Sequence, residues 1–182
     1  MTVPRRPNRY YEYIDDGPAI YVDSFATIRR EARLDHLPAN AEKLVVRMIH
    51  GTGQVDLADD LVIHPELVPA ARAALRAGAP ILCDATMVAV GVTASRLPRD
   101  NQVLCHLRDE RVPELARVWG TTRTAAAVSL WEPLLGGAES KQALTELADR
   151  HGIDIPYVTA LGRRGGSAMT SSALNALAKE EE

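Results

Sequence analysis

Three short apolar runs set between stretches of helical periodicity constrain this chain most. PILCDA (residues 80–85) follows a helical stretch and precedes a polar turn, and QVLCHLRD (102–109) reads the same way. IPYVTAL (155–161) is the third. Runs of this kind suit buried parallel strands. Helical spacing begins near Pro18, with Ile20, Phe25, Ile28 and Ala32, and continues in a second helix that ends at His50. A third helix is expected over 65–77, with Pro65 in its first turn and Gly78 at its end. VPELARVWG (112–120), TTRTAAAVSLWEPLL (121–135) and ESKQALTELADRHG (139–152) are expected helices, and a last one follows GRRGGS. Strands alternating with helices predict an α/β domain with a parallel sheet. The 182 residues suffice for one domain with its own core; residues 1–15 read as a flexible basic arm and the KEEE tail as solvated.

Composition narrows the function classes. Aromatic residues make up 4% of the chain, too few for a single-strand stacking platform, and the net charge of −3 argues against a general nucleic-acid binder. Cys83 and Cys105 lie in apolar runs and read as buried, reduced thiols. No cysteine and histidine spacing suggests zinc, no apolar run approaches a membrane span, and the N-terminus lacks a signal-peptide core. The expectation is a soluble, cytoplasmic protein.

Ligands of open α/β sheets gather beyond the carboxyl ends of the strands. Asp84 to Thr86, His106 with Arg108, and Gly162 to Ser167 fall there. In the last group Gly165 and Gly166 admit a close backbone approach, Arg163 and Arg164 supply forked cationic donors, and the helix starting at Ser167 offers free N–H groups. This is either an anion site for carboxylate or phosphate, or a loop with solvated arginines. It has neither the spacing nor the position of a dinucleotide fingerprint. Arg123 stands at a helix start, where a cation opposes the dipole, so a salt bridge or an anionic ligand is needed to explain it.

His50 is the sharper feature. In ANAEKLVVRMIHGTG the residues Leu44, Val45, Met48 and Ile49 form one apolar side, while His50 lies opposite with Lys43 and Arg47. Carbonyls at a helix C-terminus stabilise an imidazolium by up to about 2 kcal/mol, which predicts a raised pKa and a usable proton donor. The other reading is a surface histidine that caps those carbonyls. His36, His64 and His151 read as ordinary loop or cap residues, and His106 as a possible neighbour of a site.

YIDDGPAIYVDSFATIRREA, RMIHGTGQVD, AGAPILCDATMVAVGVT, TTRTAAAV, AESK and GRRGGSAMTSSALNALA occur in this order. Taken together they resemble the precorrin-8X (cobalt-precorrin-8) methylmutase family over nearly the whole chain. The resemblance implies a flavodoxin-like, homodimeric isomerase of cobalamin biosynthesis that uses no cofactor and no metal. Such an enzyme moves a methyl group from C-11 to C-12 of a tetrapyrrole to give hydrogenobyrinic acid. It implies that His50 protonates a ring nitrogen and that Ser24 and Arg123 line the substrate pocket; beside it, the reading of the strand ends offers Thr86, Arg163, Arg164, Gly165, Gly166 and Ser167 as further substrate contacts, the arginines and glycines suiting a carboxylate-fringed rim.

The resemblance breaks at one place. Family members continue after the helix of Arg123 with a strand like VVAIGNAPTAL, a helix, and a second strand like PVGFVGAAESK. Here the chain runs directly through WEPLLGGAESK, residues 131–141. A βαβ unit takes roughly 30 residues or more, so the expected sheet is shortened by two strands. An alternative follows: a tetrapyrrole-binding protein that lost part of its active site and does not turn its ligand over. A third reading is a flavodoxin-like anion-binding domain. Gly51 and Thr52 also replace a more usual Ala-Cys pair, and Thr86 stands where glutamate or serine is common.

Overall fold

The computed structural model describes residues 3–5, 8, 10–131 and 155–179. The expected helix over 139–152 lies outside them. The first helix, α1, spans Gly17–Glu31; Asp16 caps it by accepting from the Ala19 N–H at 3.0 Å, and Pro18 sits in its first turn. The second, α2, spans Glu42–Thr52 and ends on Gly53, whose φ of 68° is a left-handed cap suited to glycine. The third, α3, spans Leu67–Arg76. It starts two residues later than the sequence predicts: Glu66 occupies the cap position, so Pro65 precedes the helix and Pro69 falls in its first turn. Asn101 is buried and donates to the carbonyls of Leu75 (2.9 Å) and Ala79 (2.8 Å) at its far end.

Three strands lie where the apolar runs predict them, in shorter form. Ile81–Leu82 (β2) pairs in parallel with Val103–Leu104 (β3). Val158–Ala160 (β4) does not join them. It pairs antiparallel with Leu61–Ile63 (β1), in the register Leu61 to Ala160 and Ile63 to Val158. Among the described residues, the expectation of one parallel sheet is therefore corrected to two separate pairs, one of each sense. Apolar composition marks a strand as buried but carries no information on its direction. β1 escapes a sequence reading because three residues after a 3-10 turn, Val55–Asp60, give no periodicity to count.

The remaining helices among the described residues are α4 (Thr86–Gly91), which the sequence reading passes over as a turn, α5 (Val112–Trp119), α6 (Arg123–Ser129) and α7 (Ser167–Ala178). The described residues form a mixed α/β fold, mostly helical, with small sheets.

The main core is built around α2. Leu44, Val45, Val46, Met48 and Ile49 are all buried, packed between α1 and α7. The crossings with α7 depend on small residues. A Cβ on Gly51 would lie 2.1 Å from Ser172 Oγ, and one on Gly91 would lie 2.6 Å from Ser171 Cβ. Asn175 fixes the second crossing, donating to Gly91 O at 2.9 Å and accepting from the Thr93 N–H at 2.8 Å. Helices α5 and α6 form a separate small cluster of Val112, Ala116, Ala126 and Ala127. Cys83 is buried and Cys105 half-buried, both as free thiols; burial pushes the Cys83 thiol up to about 11.

Candidate active site

Helix α2 carries His50 in its last turn, facing α1. The ring lies 4.9 Å from the Tyr21 ring, and the Phe25 ring stands edge-on to it at 5.3 Å. Tyr21, Ser24 and Phe25 share one face of α1 because residues three and four apart are neighbours on a helix. Ser24 Oγ is 2.8 Å from His50 Nδ1. With Ser24 donating to Nδ1, the proton of the neutral ring sits on Nε2, which no described residue hydrogen-bonds.

The expected raised pKa of His50 is corrected: it lies below the ordinary value. Partial burial, which strips water from the imidazolium, is the first cause, and the Arg47 cation one turn earlier is the second. The helix-end carbonyls invoked from the sequence already have partners. Thr52 Oγ1 donates to Met48 O (3.0 Å) and Ile49 O (3.2 Å), and the Gly53 N–H donates to Ile49 O (2.7 Å). His50 is thus neither their cap nor a histidine made more basic by them.

The GRRGGS loop comes up against the end of the same helix. Arg163, Arg164, Gly165 and Gly166 line a cavity of about 420 Å³ with Gly51, Thr52 and Gln54. Gly166, at the start of α7, has φ 158°, and Ser167 opens the helix. The two arginines differ. Arg164 is paired with Asp56 and, at 2.9 Å, with Asp60, so it ties the loop to the 55–60 turn. Arg163 is exposed and makes no ion pair among the described residues.

Thr86 begins α4, just beyond β2, with its hydroxyl 4.0 Å from Cys105 Sγ. Arg123 begins α6, where Thr122 caps by accepting from the Ala125 N–H at 3.1 Å; its side chain is exposed. The structure therefore brings Ser24 to His50 and the glycine-arginine loop to the same helix end. Thr86 and Arg123 make no described contact with His50. His106 Nε2 is enclosed and has no hydrogen-bond partner among the described residues. His36 Nε2 meets Ala58 O, 22 residues away, at 3.1 Å, and His64 Nδ1 accepts from the nearby Glu66 N–H at 3.2 Å; His151 lies outside the described residues.

Sequence reasoning missed Tyr21, Phe25 and Arg47 as parts of the site. Their helical spacing around Ser24 and His50 was the available signal. It also missed Asp56 and Asp60, which no local pattern connects to Arg164. Among the described residues there is no cluster suited to a metal ion and no helix long and apolar enough to cross a membrane.

A half-buried imidazole hydrogen-bonded to a serine and flanked by two aromatic rings thus shares a helix end with a glycine-arginine loop in a mixed α/β protein. The chain belongs to the precorrin-8X methylmutase family: the family profile matches residues 19–138 and again 133–180. The precorrin-8X methylmutase of Pseudomonas aeruginosa is 47% identical over 210 aligned positions, covering 94% of this chain and 99% of that protein. The Sinorhizobium sp. precorrin-8X methylmutase is 43% identical over 208 positions, covering 93% and 97%. Among solved structures, the precorrin-8x methyl mutase of Thermus thermophilus superposes with a TM-score of 0.70 at 27% identity, covering 89% of this chain and 95% of that one.

The same comparisons locate what this chain lacks. An alignment of 210 positions exceeds the 182 residues present, so the Pseudomonas protein carries residues with no counterpart here. The two profile matches meet over 133–138, inside the WEPLLGGAESK junction.

Proposed function

We propose that this protein is an isomerase of cobalamin biosynthesis that moves a methyl group from C-11 to C-12 of precorrin-8X, giving hydrogenobyrinic acid. Membership of the methylmutase family supports the reaction. The observation that carries the site is the Ser24–His50 pair, set against the Tyr21 and Phe25 rings.

The chemistry follows from these groups. Ser24 orients the imidazole and leaves Nε2 toward the ligand. Protonated His50 gives that proton to a ring nitrogen of the macrocycle, drawing electron density away from the carbon framework. The C-11 to methyl bond breaks as the C-12 to methyl bond forms, in a 1,5-sigmatropic shift, and His50 recovers its proton. Substrate and product are isomers, so the step balances without an oxidant or reductant. Holding the flat ring against the aromatic pair supplies orientation. Arg163, the Gly165–Gly166 backbone and the start of α7 at Ser167 suit the carboxylates on the ring's edge. Arg123 and Thr86 belong to the rim in this reading, and Arg164 acts by fixing the loop. A cytoplasmic homodimer, each chain one domain with flavodoxin-like layering shortened by two strands, completes the reading; the parallel β2–β3 pair and the likeness to the Thermus structure support the layering.

His50→Ala tests the proposal. Turnover is expected to vanish while binding of hydrogenobyrinic acid stays within a few-fold. The shortened junction favours one second reading, a tetrapyrrole-binding protein without turnover. Wild-type protein that binds the macrocycle but never isomerises it would establish that reading instead.

A further inference from the structure

The parallel pair β2–β3 ends in two facing cysteines. Ile81 stands opposite Val103, and Leu82 opposite Leu104. The ladder runs one step further: the Ile81 N–H donates to Gln102 O and the Cys83 N–H to Leu104 O, each at 2.8 Å. The offset that sets Ile81 against Val103 therefore sets Cys83 against Cys105. Both are free thiols, Cys83 buried and Cys105 half-buried. We propose that this pair is an oxidative modification site: peroxide oxidises Cys105, and Cys83 then closes a disulfide that ties the end of β2 to the end of β3 and turns Cys105 away from Thr86.

Neighbouring strands lie about 4.8 Å apart, and facing residues send their side chains to the same side of a sheet. Disulfides span Cα separations of about 4.4–6.8 Å, so the two backbones need no large movement. Cys83 belongs to the main core and Cys105 packs against it. In the reduced protein Cys105 Sγ rests 4.0 Å from Thr86 Oγ1. Rotation about the Cα–Cβ bond of Cys105, between staggered positions, carries its sulfur from Thr86 toward Cys83. No other cysteine competes, because the chain holds two.

Exposure decides the order of events. Burial pushes the Cys83 thiol up to about 11, with Cys105 and Asp84 adding to the rise, so Cys83 stays protonated and shielded. Cys105 is the sulfur that solvent reaches. Its thiolate attacks one oxygen of hydrogen peroxide; the O–O bond breaks, a sulfenic acid forms, and the departing hydroxide takes up the proton that the thiol released. The Cys83 sulfur then attacks the Cys105 sulfur. The S–S bond forms as the S–O bond breaks, and the Cys83 proton leaves with the hydroxyl as water. Two thiols and one peroxide give one disulfide and two waters. Thr86 opens α4 just beyond β2. In the methylmutase reading it belongs to the substrate rim, so the disulfide slows turnover; that consequence rests on the reading, whereas the disulfide itself does not.

The test exposes the reduced, folded protein to hydrogen peroxide at mildly alkaline pH, as wild type, Cys83→Ser and Cys105→Ser. Free thiols are counted in denaturant, intact mass is measured, and peptides are mapped without reduction. In wild type both thiols are expected to disappear together, in a chain lighter by two hydrogens whose Cys83 peptide is linked to its Cys105 peptide, and dithiothreitol should restore both. Cys83→Ser should stop at a sulfenic acid on Cys105 that dimedone captures, and Cys105→Ser should keep its Cys83 thiol at the same dose. The wild-type result decides by itself if a serine variant does not fold. Thiols that survive peroxide, oxygen added to Cys105 without a link to Cys83, or a link between two chains instead of within one overturns the inference. Turnover of precorrin-8X before oxidation, after it and after dithiothreitol separates the two claims. A several-fold, reversible loss is expected. An unchanged rate in the disulfide form overturns the effect through Thr86. Absence of turnover by the reduced protein, with the disulfide formed on oxidation, sinks the methylmutase reading and leaves the cysteine pair standing.

Discussion

Ser24 Oγ and His50 Nδ1 lie 2.8 Å apart although 26 residues separate them in the chain. The bond joins α1 to α2 and sets the orientation of the imidazole ring. Ser24→Ala removes it without adding bulk. One hydrogen bond contributes about 0.5–1.5 kcal/mol net, so kcat is expected to fall by roughly an order of magnitude with little change in KM. Steady-state kinetics on the purified variant check this, and a loss confined to KM would assign Ser24 to binding alone.

The two glycine–serine crossings on α7 should respond unequally to alanine. At Gly91 the new Cβ meets Ser171 Cβ, which cannot rotate away, so Gly91→Ala is expected to destabilise by about 1–3 kcal/mol. At Gly51 the closest atom is Ser172 Oγ, which can turn aside, and alanine is the better helix former. Gly51→Ala should therefore cost less, and Ser172→Ala should relieve what remains. Urea unfolding of Gly91→Ala, Gly51→Ala, Ser172→Ala and the Gly51→Ala/Ser172→Ala double variant, each against wild type, checks this, and an equal cost at both glycines contradicts the packing described.

Arg163 and Arg164 are adjacent but should not be equivalent. Arg163→Gln is expected to weaken macrocycle binding and to flatten its salt dependence, with stability unchanged. Arg164→Gln loses the ion pairs to Asp56 and Asp60, which are solvent-screened and contribute little to stability, and loosens the loop. Fluorescence binding titrations at two salt concentrations, together with thermal unfolding, distinguish the two.

The protonation of His50 also links to folding. Its folded pKa lies below the ordinary 6.5, so the unfolded chain binds the proton more readily. The contribution to stability is fully present above about 6.5 and is lost as pH falls through the lowered folded value. His50→Gln should therefore show a shallower loss of stability than wild type between neutral pH and pH 5, followed by chemical denaturation at several pH values. Parallel curves would mean that the histidine senses no burial.

Much of this was legible in local spacing. The three-to-four-residue recurrence of apolar side chains, with Gly53, Gly78 and Pro18 as boundary signals, located α1, α2 and α3 to within a few residues. It also set His50 and Arg47 on one face and placed a glycine-arginine loop ahead of α7. The ordered motifs carried the family. These features are properties of neighbours along the chain, and helix geometry converts them directly into faces and ends.

Tertiary structure alone decided the rest. Partial burial against Tyr21 and Phe25, together with the nearby Arg47 charge, reverses the direction of the His50 pKa expected from its helix terminus. Arg164 is committed to Asp56 across 108 residues, a pairing without local signature. β4 lies antiparallel to β1 because strand direction depends on which segment arrives beside it. Desolvation, ion pairing and strand partnership are all set by residues remote in sequence, so they exist only once the chain has closed on itself.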